Sequence, residues 1–335
     1  MAKKSKYGFL AGMALFLTAA VLAFPLLPQL SAAKTAAEGQ KDFIQYVEFN
    51  PCYAALDRAL EEDIRIHEEG GSRSWVDTLA YLGAKYGGDF SQYRAQDMDD
   101  LFQRLDSGET MEQITQSMTY YSYYQEAYGA VLDGLVGTYK EETTENGETV
   151  WQEQYGLKGF FPLAKNFAYE HYDDFGAQRT YGYTRRHLGH DIMADTGTPV
   201  LAIESGVVEV MGWNQYGGWR IGIRSGNGKR YYYYAHLRQN RPFAEGLEEG
   251  QTVQAGQVIG YVGHTGYSTQ ENVNNIRVPH LHLGLELIFD ESQKESDNEI
   301  WVDLYPLTQL LSRHMGETVR DPETKEHVRK YAFSE

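Results

Sequence analysis

The chain has 335 residues, enough for one large or two ordinary domains, with 42% hydrophobic and 23% charged residues. Its formal net charge of −17 leaves no basic stripe to release phosphate counterions, which argues against nucleic acid and against adhesion of the protein body to an anionic membrane. Cys52 is the single cysteine, so an intrachain disulfide is impossible and the residue reads as packing.

In chain order, Lys3, Lys4 and Lys6 precede an apolar run from Tyr7 to Leu30, and the next charge is Lys34. That run is long enough to cross a bilayer of about 30 Å, and lysines before it stay cytoplasmic. Residues 1–33 are therefore expected to form a signal-anchor or transmembrane segment that sends the rest of the chain outside. Secretion after cleavage near Ser31-Ala32-Ala33 is the alternative. Residues 34–41 read as a linker.

From 42 to 140 the pattern predicts a small helical domain. Pro51 sits at a helix start, and Tyr53, Leu56, Leu60, Ile64 and Ile66 make an apolar face. Trp75, Leu79, Leu82 and Tyr86 repeat at helical steps, and the run stops at Gly87-Gly88. Helices are also expected over 98–105, 111–118 and 120–139. Glu61-Glu62 and Glu68-Glu69 read as a solvated helix face, so no second catalytic activity is expected here. The segment is a candidate spacer, partner-binding module or inhibitory cover.

Residues 141–150, including the charged and turn-rich EETTENGE, read as a second linker. Beyond it short β segments alternate with glycine turns. WRIGIRS, Gly226-Asn227-Gly228 and RYYYYAHL read as a hairpin, and HLHLGLELIF as a period-two strand. Strands without intervening helices predict an antiparallel sheet or β-roll over 151–315, with a core at 180–290. A closing helix is expected over 301–313 and a frayed tail over 316–335. The fold class is thus α+β and multidomain.

Five residues carry the chemistry: His187 and Asp191 in HLGHD, His236 in YAHL, and His280 and His282 in PHLHLGLEL. Imidazole and carboxylate suit a divalent metal, and a catalytic zinc keeps three protein ligands and one open position. Alternate side chains on a strand face the same way, so His280 and His282 converge on one site. Gly189 is expected to let the chain turn so that His187 and Asp191 face one ion. No H-E-x-x-H helix is present, so the usual glutamate base is missing. His236 and His280 are the candidates for proton transfer. His190 is expected to point to the neighbouring layer. His264, the 266–278 loop, Tyr183, Trp213, Tyr216 and Trp219 are candidates for lining a groove.

HLGHDIMADTGTPVLAIESGVV, YYAHL, GQTVQAGQVIGYVGHTG and PHLHLGLEL together resemble the LytM/lysostaphin family of zinc endopeptidases, which cut peptidoglycan peptides. The resemblance covers about 180–290. It implies that His187, Asp191 and His282 bind Zn2+ and that His236 and His280 are the catalytic imidazoles. It also implies peptidoglycan peptides as substrate. From the residues themselves, the membrane is expected to be reached only through the N-terminal segment, and an envelope protein is a candidate partner for residues 42–140. Two other classes compete: a catalytically silent envelope-binding, activator or scaffold protein using the same groove, and a biotinyl- or lipoyl-carrier-like domain. The filled metal positions argue against the first. The second lacks a modifiable lysine in the right context, Lys229 being the sole candidate.

Overall fold

The computed structural model describes residues 43–294 and 296–335. Helices come first: α1 (Tyr53–Glu68), α2 (Trp75–Tyr86), α3 (Ala95–Asp106), α4 (Met111–Thr115) and α5 (Tyr121–Leu132). Then come β1 (Val136–Glu145), β2 (Glu148–Leu157), β3 (Tyr169–His171), β4 (Gln178–Tyr181), β5 (Tyr183–Arg186), β6 (His190–Ala194) and β7 (Pro199–Leu201). They are followed by β8 (Gly206–Asn214), β9 (Gly218–Ser225), β10 (Arg230–Ala235), β11 (Thr252–Val253) and β12 (Val258–Tyr261). The chain ends with β13 (His280–Leu287), β14 (Ile300–Val302), α6 (Tyr305–Leu311), β15 (Thr318–Arg320), β16 (His327–Arg329) and β17 (Phe333–Ser334).

Local chemistry explains the helical half. Helix α1 buries Ala55, Leu56, Ala59 and Leu60 at helical spacing. Ser74 caps α2 by accepting from the Asp77 amide at 3.2 Å, and Gly87, at φ +62°, ends it. The buried Asp63 carboxylate accepts from the Trp75 amide (2.9 Å) and the Tyr155 hydroxyl (2.7 Å), tying α1 to α2 and β2. Cys52 is a free, half-buried thiol just before α1.

The main sheet is antiparallel, in the order β11-β8-β9-β10-β13-β6-β3, with β14 also paired to β13. Alternation along β13 decides which face does what. Leu281, Leu283, Leu285 and Leu287 are fully buried on one face, while His280, His282, Gly284 and Glu286 occupy the other. Its neighbour β10 is read the same way. Arg230, Tyr232 and Tyr234 face the core, and Tyr231 and Tyr233 share the histidine face. The buried Arg230 guanidinium binds Glu204 and donates to the Ala130 (3.0 Å) and Asp133 (2.8 Å) carbonyls at the end of α5. Helix α5 therefore packs on the leucine face, opposite the histidines.

Several boundaries differ from expectation. The helices and the sheet share one hydrophobic core and one compact unit, Lys41–Glu335. The expected linker at 141–150 lies in the β1–β2 hairpin, paired without interruption from Val136↔Leu157 to Glu145↔Glu148. Asn146 and Gly147 both have positive φ (52° and 89°) and make its two-residue turn. Polar residues dominate both strands, which hides their alternation. The helix expected over 120–139 ends at Leu132, because Val136–Tyr139 already belongs to β1. Likewise Trp301 sits in β14, and the closing helix starts only at Tyr305.

The expected frayed tail at 316–335 is instead held in place. β15 pairs with β16, β17 pairs with β1, and Glu326 pairs with Arg238 and Arg241. No helix among the described residues is long and apolar enough to cross a membrane. The expected membrane segment, 1–33, and its linker, 34–41, lie outside the described residues.

Candidate metal centre and groove

Strands β13 and β6 bring the first donors together, since His282 pairs directly with Asp191 and His280 with Met193. His187 precedes β6. Its Nε2 lies 2.8 Å from His282 Nδ1 and 3.1 Å from Asp191 Oδ1, and the latter two are 3.2 Å apart. Three electron-pair donors thus converge on one point, and no other group of three or more metal-type side chains is found among the described residues. A tetrahedral zinc with bonds of about 2.0–2.1 Å has donor separations of roughly 3.3 Å, so this trio fits such an ion.

Gly189 makes the convergence possible in an unexpected way. It has no left-handed backbone, so it is not the turn that HLGHD suggested. A Cβ there would collide with the Leu283 carbonyl oxygen and meet the His282 ring at 2.8–2.9 Å. Glycine is needed for close approach of β6 to β13.

A second layer orients the donors. Nδ1 of His187 faces the Asp174 backbone carbonyl at 3.1 Å and its Oδ2 at 3.3 Å. Asp174 Oδ1 also accepts from the Asp191 amide at 3.2 Å. Arg179 on β4 pairs with Asp174 and reaches Asp191 Oδ2 at 3.3 Å. One carboxylate and one guanidinium therefore hold the back of both His187 and Asp191. Burial disfavours charge on His187, but its bonds to Asp174 and Asp191 outweigh this and raise its pKa to about 9. Burial also opposes charge on Asp191, yet His187 and His282 hold its carboxyl far below the ordinary range. Burial lowers His282.

The two remaining imidazoles stand beside the trio. Ring centroids of His236 and His280 are 4.8 Å apart, and His280 Nε2 is 3.6 Å from Asp191 Oδ1. Each Nδ1 faces a carbonyl that can only accept: Thr265 O at 2.9 Å for His236, Val278 O at 2.8 Å for His280. Both rings therefore carry their proton on Nδ1 and offer a free Nε2. His236 holds a left-handed backbone, φ +63°, uncommon outside glycine. Its amide donates to the Gly217 carbonyl at 2.8 Å. Burial pushes its imidazole well below its ordinary pKa, with the nearby His280 and His282 adding to the effect.

His190 faces the other way, as expected. It is fully buried against α6, with Nε2 3.2 Å from the Thr308 hydroxyl, and burial lowers its pKa to about 3. His264 faces the Ile276 carbonyl at 2.8 Å and ties down the following loop. A cavity of about 340 Å³ opens beside the metal group, lined by His187, His236 and His282 and extending to Glu286 and Trp301. Of the four aromatic candidates only Tyr216 lines it. Tyr183 packs edge-on against Tyr216, and Trp213 against Trp219. The 266–278 loop contributes Tyr267. Asp174 and Arg179 belong to none of the motifs above, and Thr265 and Glu286 lie within GQTVQAGQVIGYVGHTG and PHLHLGLEL without being marked by them, so all four roles emerge from spatial neighbours.

Convergent imidazole and carboxylate donors, next to anchored imidazoles on an antiparallel sheet, make a candidate metal centre with proton-transfer groups beside it. Residues 185–295 match Peptidase family M23, and this part of the chain is similar to peptidoglycan hydrolases of the LytM/lysostaphin type. It is 38% identical over 206 residues to the L-Ala–D-Glu endopeptidase of Bacillus subtilis (strain 168), covering 58% of this chain and 60% of that one. It is 40% identical over 98 residues to lysostaphin of Staphylococcus simulans, covering 29% of this chain and 17% of that one. The chain thus spans less than two thirds of these curated relatives' lengths. A LytM structure from Ruminococcus gnavus ATCC 29149 shares the fold, with a TM-score of 0.52 over 79% of this chain and 89% of that one at 24% identity.

Proposed function

We propose that this protein is a zinc-dependent endopeptidase that hydrolyses a peptide bond of peptidoglycan, with His187, Asp191 and His282 holding the metal. The observation that carries this reading is the triangle of donor atoms, 2.8–3.2 Å on each side, beside two imidazoles with free Nε2 atoms. Zinc, when bound, supplies Lewis acidity towards a peptide carbonyl and makes water acidic near neutral pH. His236 and His280 are the acid–base pair: one Nε2 takes the proton of the attacking water and then passes that proton to the leaving amine, and the other supports the developing oxyanion when its Nε2 too carries a proton. Asp174 and Arg179 keep the donors in register. The B. subtilis relative supports the L-Ala–D-Glu bond of the stem peptide as the bond cut.

The lysine-flanked apolar run Tyr7–Leu30 supports single-pass anchoring with the peptidase outside the cell, or secretion if that run is removed. Peptidoglycan is then the available substrate, and residues 42–140 are the part left to meet an envelope partner. Incubating zinc-loaded protein with purified sacculi, with and without chelator, tests the reading. Soluble peptide fragments released only without chelator are expected. Intact sacculi under both conditions would favour a binding protein that uses the same groove.

A further inference from the structure

Beyond the metal centre the histidine face continues along β13 to Glu286, four residues from His282 and on the same side of the strand. At about 3.3 Å per residue this is roughly 13 Å along the groove floor. Tyr233 and Gly284 lie between, paired in register, and Tyr231 and Trp301 are the register neighbours of Glu286 itself. The cavity that begins at His187, His236 and His282 ends at these groups.

Glu286 is 2% exposed, and its buried Oε1 has no hydrogen-bond partner among the described residues. Two of the neighbouring cations are committed elsewhere. Lys294 pairs with Glu209, and Arg224 pairs with Glu209 and Glu291. Arg220, also on the cavity wall, has a buried Nε without a hydrogen-bond partner among the described residues. Burial and the nearby Glu299 raise the Glu286 pKa to about 7, as expected of a carboxyl lacking a partner. A buried acid without a hydrogen bond costs free energy, of which the charges of Lys294 and Arg224 recover a part. Aromatic rings beside it favour a cation: the Lys294 ammonium lies 5.0 Å from the centre of the Tyr231 ring, and Trp301 flanks the other side of Glu286.

We propose that Glu286, with Tyr231 and Trp301, forms a specificity subsite that accepts a primary ammonium group of the substrate peptide, a few residues from the scissile bond. A diamino-acid side chain has this chemistry and reach. The proposal rests on the peptidase reading above and adds to it what the groove selects. Its charge-assisted hydrogen bond is made only when the amine is free, and acetylation of that amine removes both charge and geometry.

The test uses two synthetic peptides, L-Ala–γ-D-Glu–L-Lys–D-Ala and its Nε-acetyl counterpart, with wild type and Glu286→Gln. The wild type is expected to favour the free amine by at least about tenfold in kcat/KM, mainly through KM, and Glu286→Gln to treat both peptides alike. A preference that persists in Glu286→Gln, or a wild type that cuts both equally, overturns the subsite. If neither peptide is cut, the peptidase reading fails separately. Binding to chelator-treated protein, followed by intrinsic tryptophan fluorescence, then decides. Tighter binding of the free amine that is lost in Glu286→Gln sustains the subsite, and equal binding overturns it.

Discussion

Nδ1 of His187 faces Asp174 twice, through its carbonyl oxygen at 3.1 Å and its carboxylate at 3.3 Å. The same carboxylate accepts from the Asp191 amide, so one residue sets the orientation of two metal donors. Outer partners of this kind contribute about 10–100-fold to metal affinity. Asp174→Asn keeps the carbonyl contact and is expected to weaken zinc binding by about tenfold, measured by competition with a chromogenic chelator. Unchanged affinity would show that the carbonyl alone orients His187.

The histidines of β13 should separate by function. His282→Ala is expected to lose both metal and activity, because it removes one corner of the donor triangle. His280→Ala is expected to retain metal and lose most turnover, about 10²–10⁴-fold for a missing proton-transfer group. Metal content by elemental analysis, run alongside peptide hydrolysis, distinguishes them. Equal metal loss in both variants would overturn the assignment.

Gly189 makes a purely steric prediction. An added methyl group would strike the Leu283 carbonyl oxygen and the His282 ring. Gly189→Ala is expected to destabilise the protein by about 1–3 kcal/mol in urea unfolding and to weaken zinc binding. A variant with wild-type stability and affinity would mean that β6 and β13 separate freely.

In the helical layer, Asp97 accepts hydrogen bonds from Lys85, Tyr86 and Arg94. The bond to Lys85 outweighs burial and lowers the Asp97 pKa to about 2. A depressed folded-state pKa contributes stability above the unfolded value of about 3.9, and that contribution fades as pH falls towards about 2. Asp97→Asn is therefore expected to cost about 1–3 kcal/mol at pH 7, with the gap to wild type closing below about pH 4. Urea unfolding at pH 7 and pH 3 reads this. A gap that stays constant would assign the cost to packing instead.

Much of the candidate site was legible because its motifs sit on extended chain. H-x-H on a strand must place both rings on one face, and β13 does so with its leucines on the other. The helix stop at Gly87 was legible for a similarly local reason. What escaped was set by contact across distant segments. Asp174 lies in a loop without a motif, the Thr265 carbonyl reaches His236 across 29 positions, and Gly189 is needed for clearance rather than for a turn. The β1–β2 hairpin and the C-terminal strands were missed because they are polar or two to three residues long.

The proposed activity is metal-dependent cleavage of a peptide bond in the cell wall. The most direct measurement is mass spectrometry of fragments released from purified sacculi by zinc-loaded protein, by chelator-treated protein and by His282→Ala. Fragments with a newly exposed D-Glu amine, present only with the zinc-loaded wild type, are the expected result. Sacculi left uncut by a protein that holds one zinc per chain would contradict it.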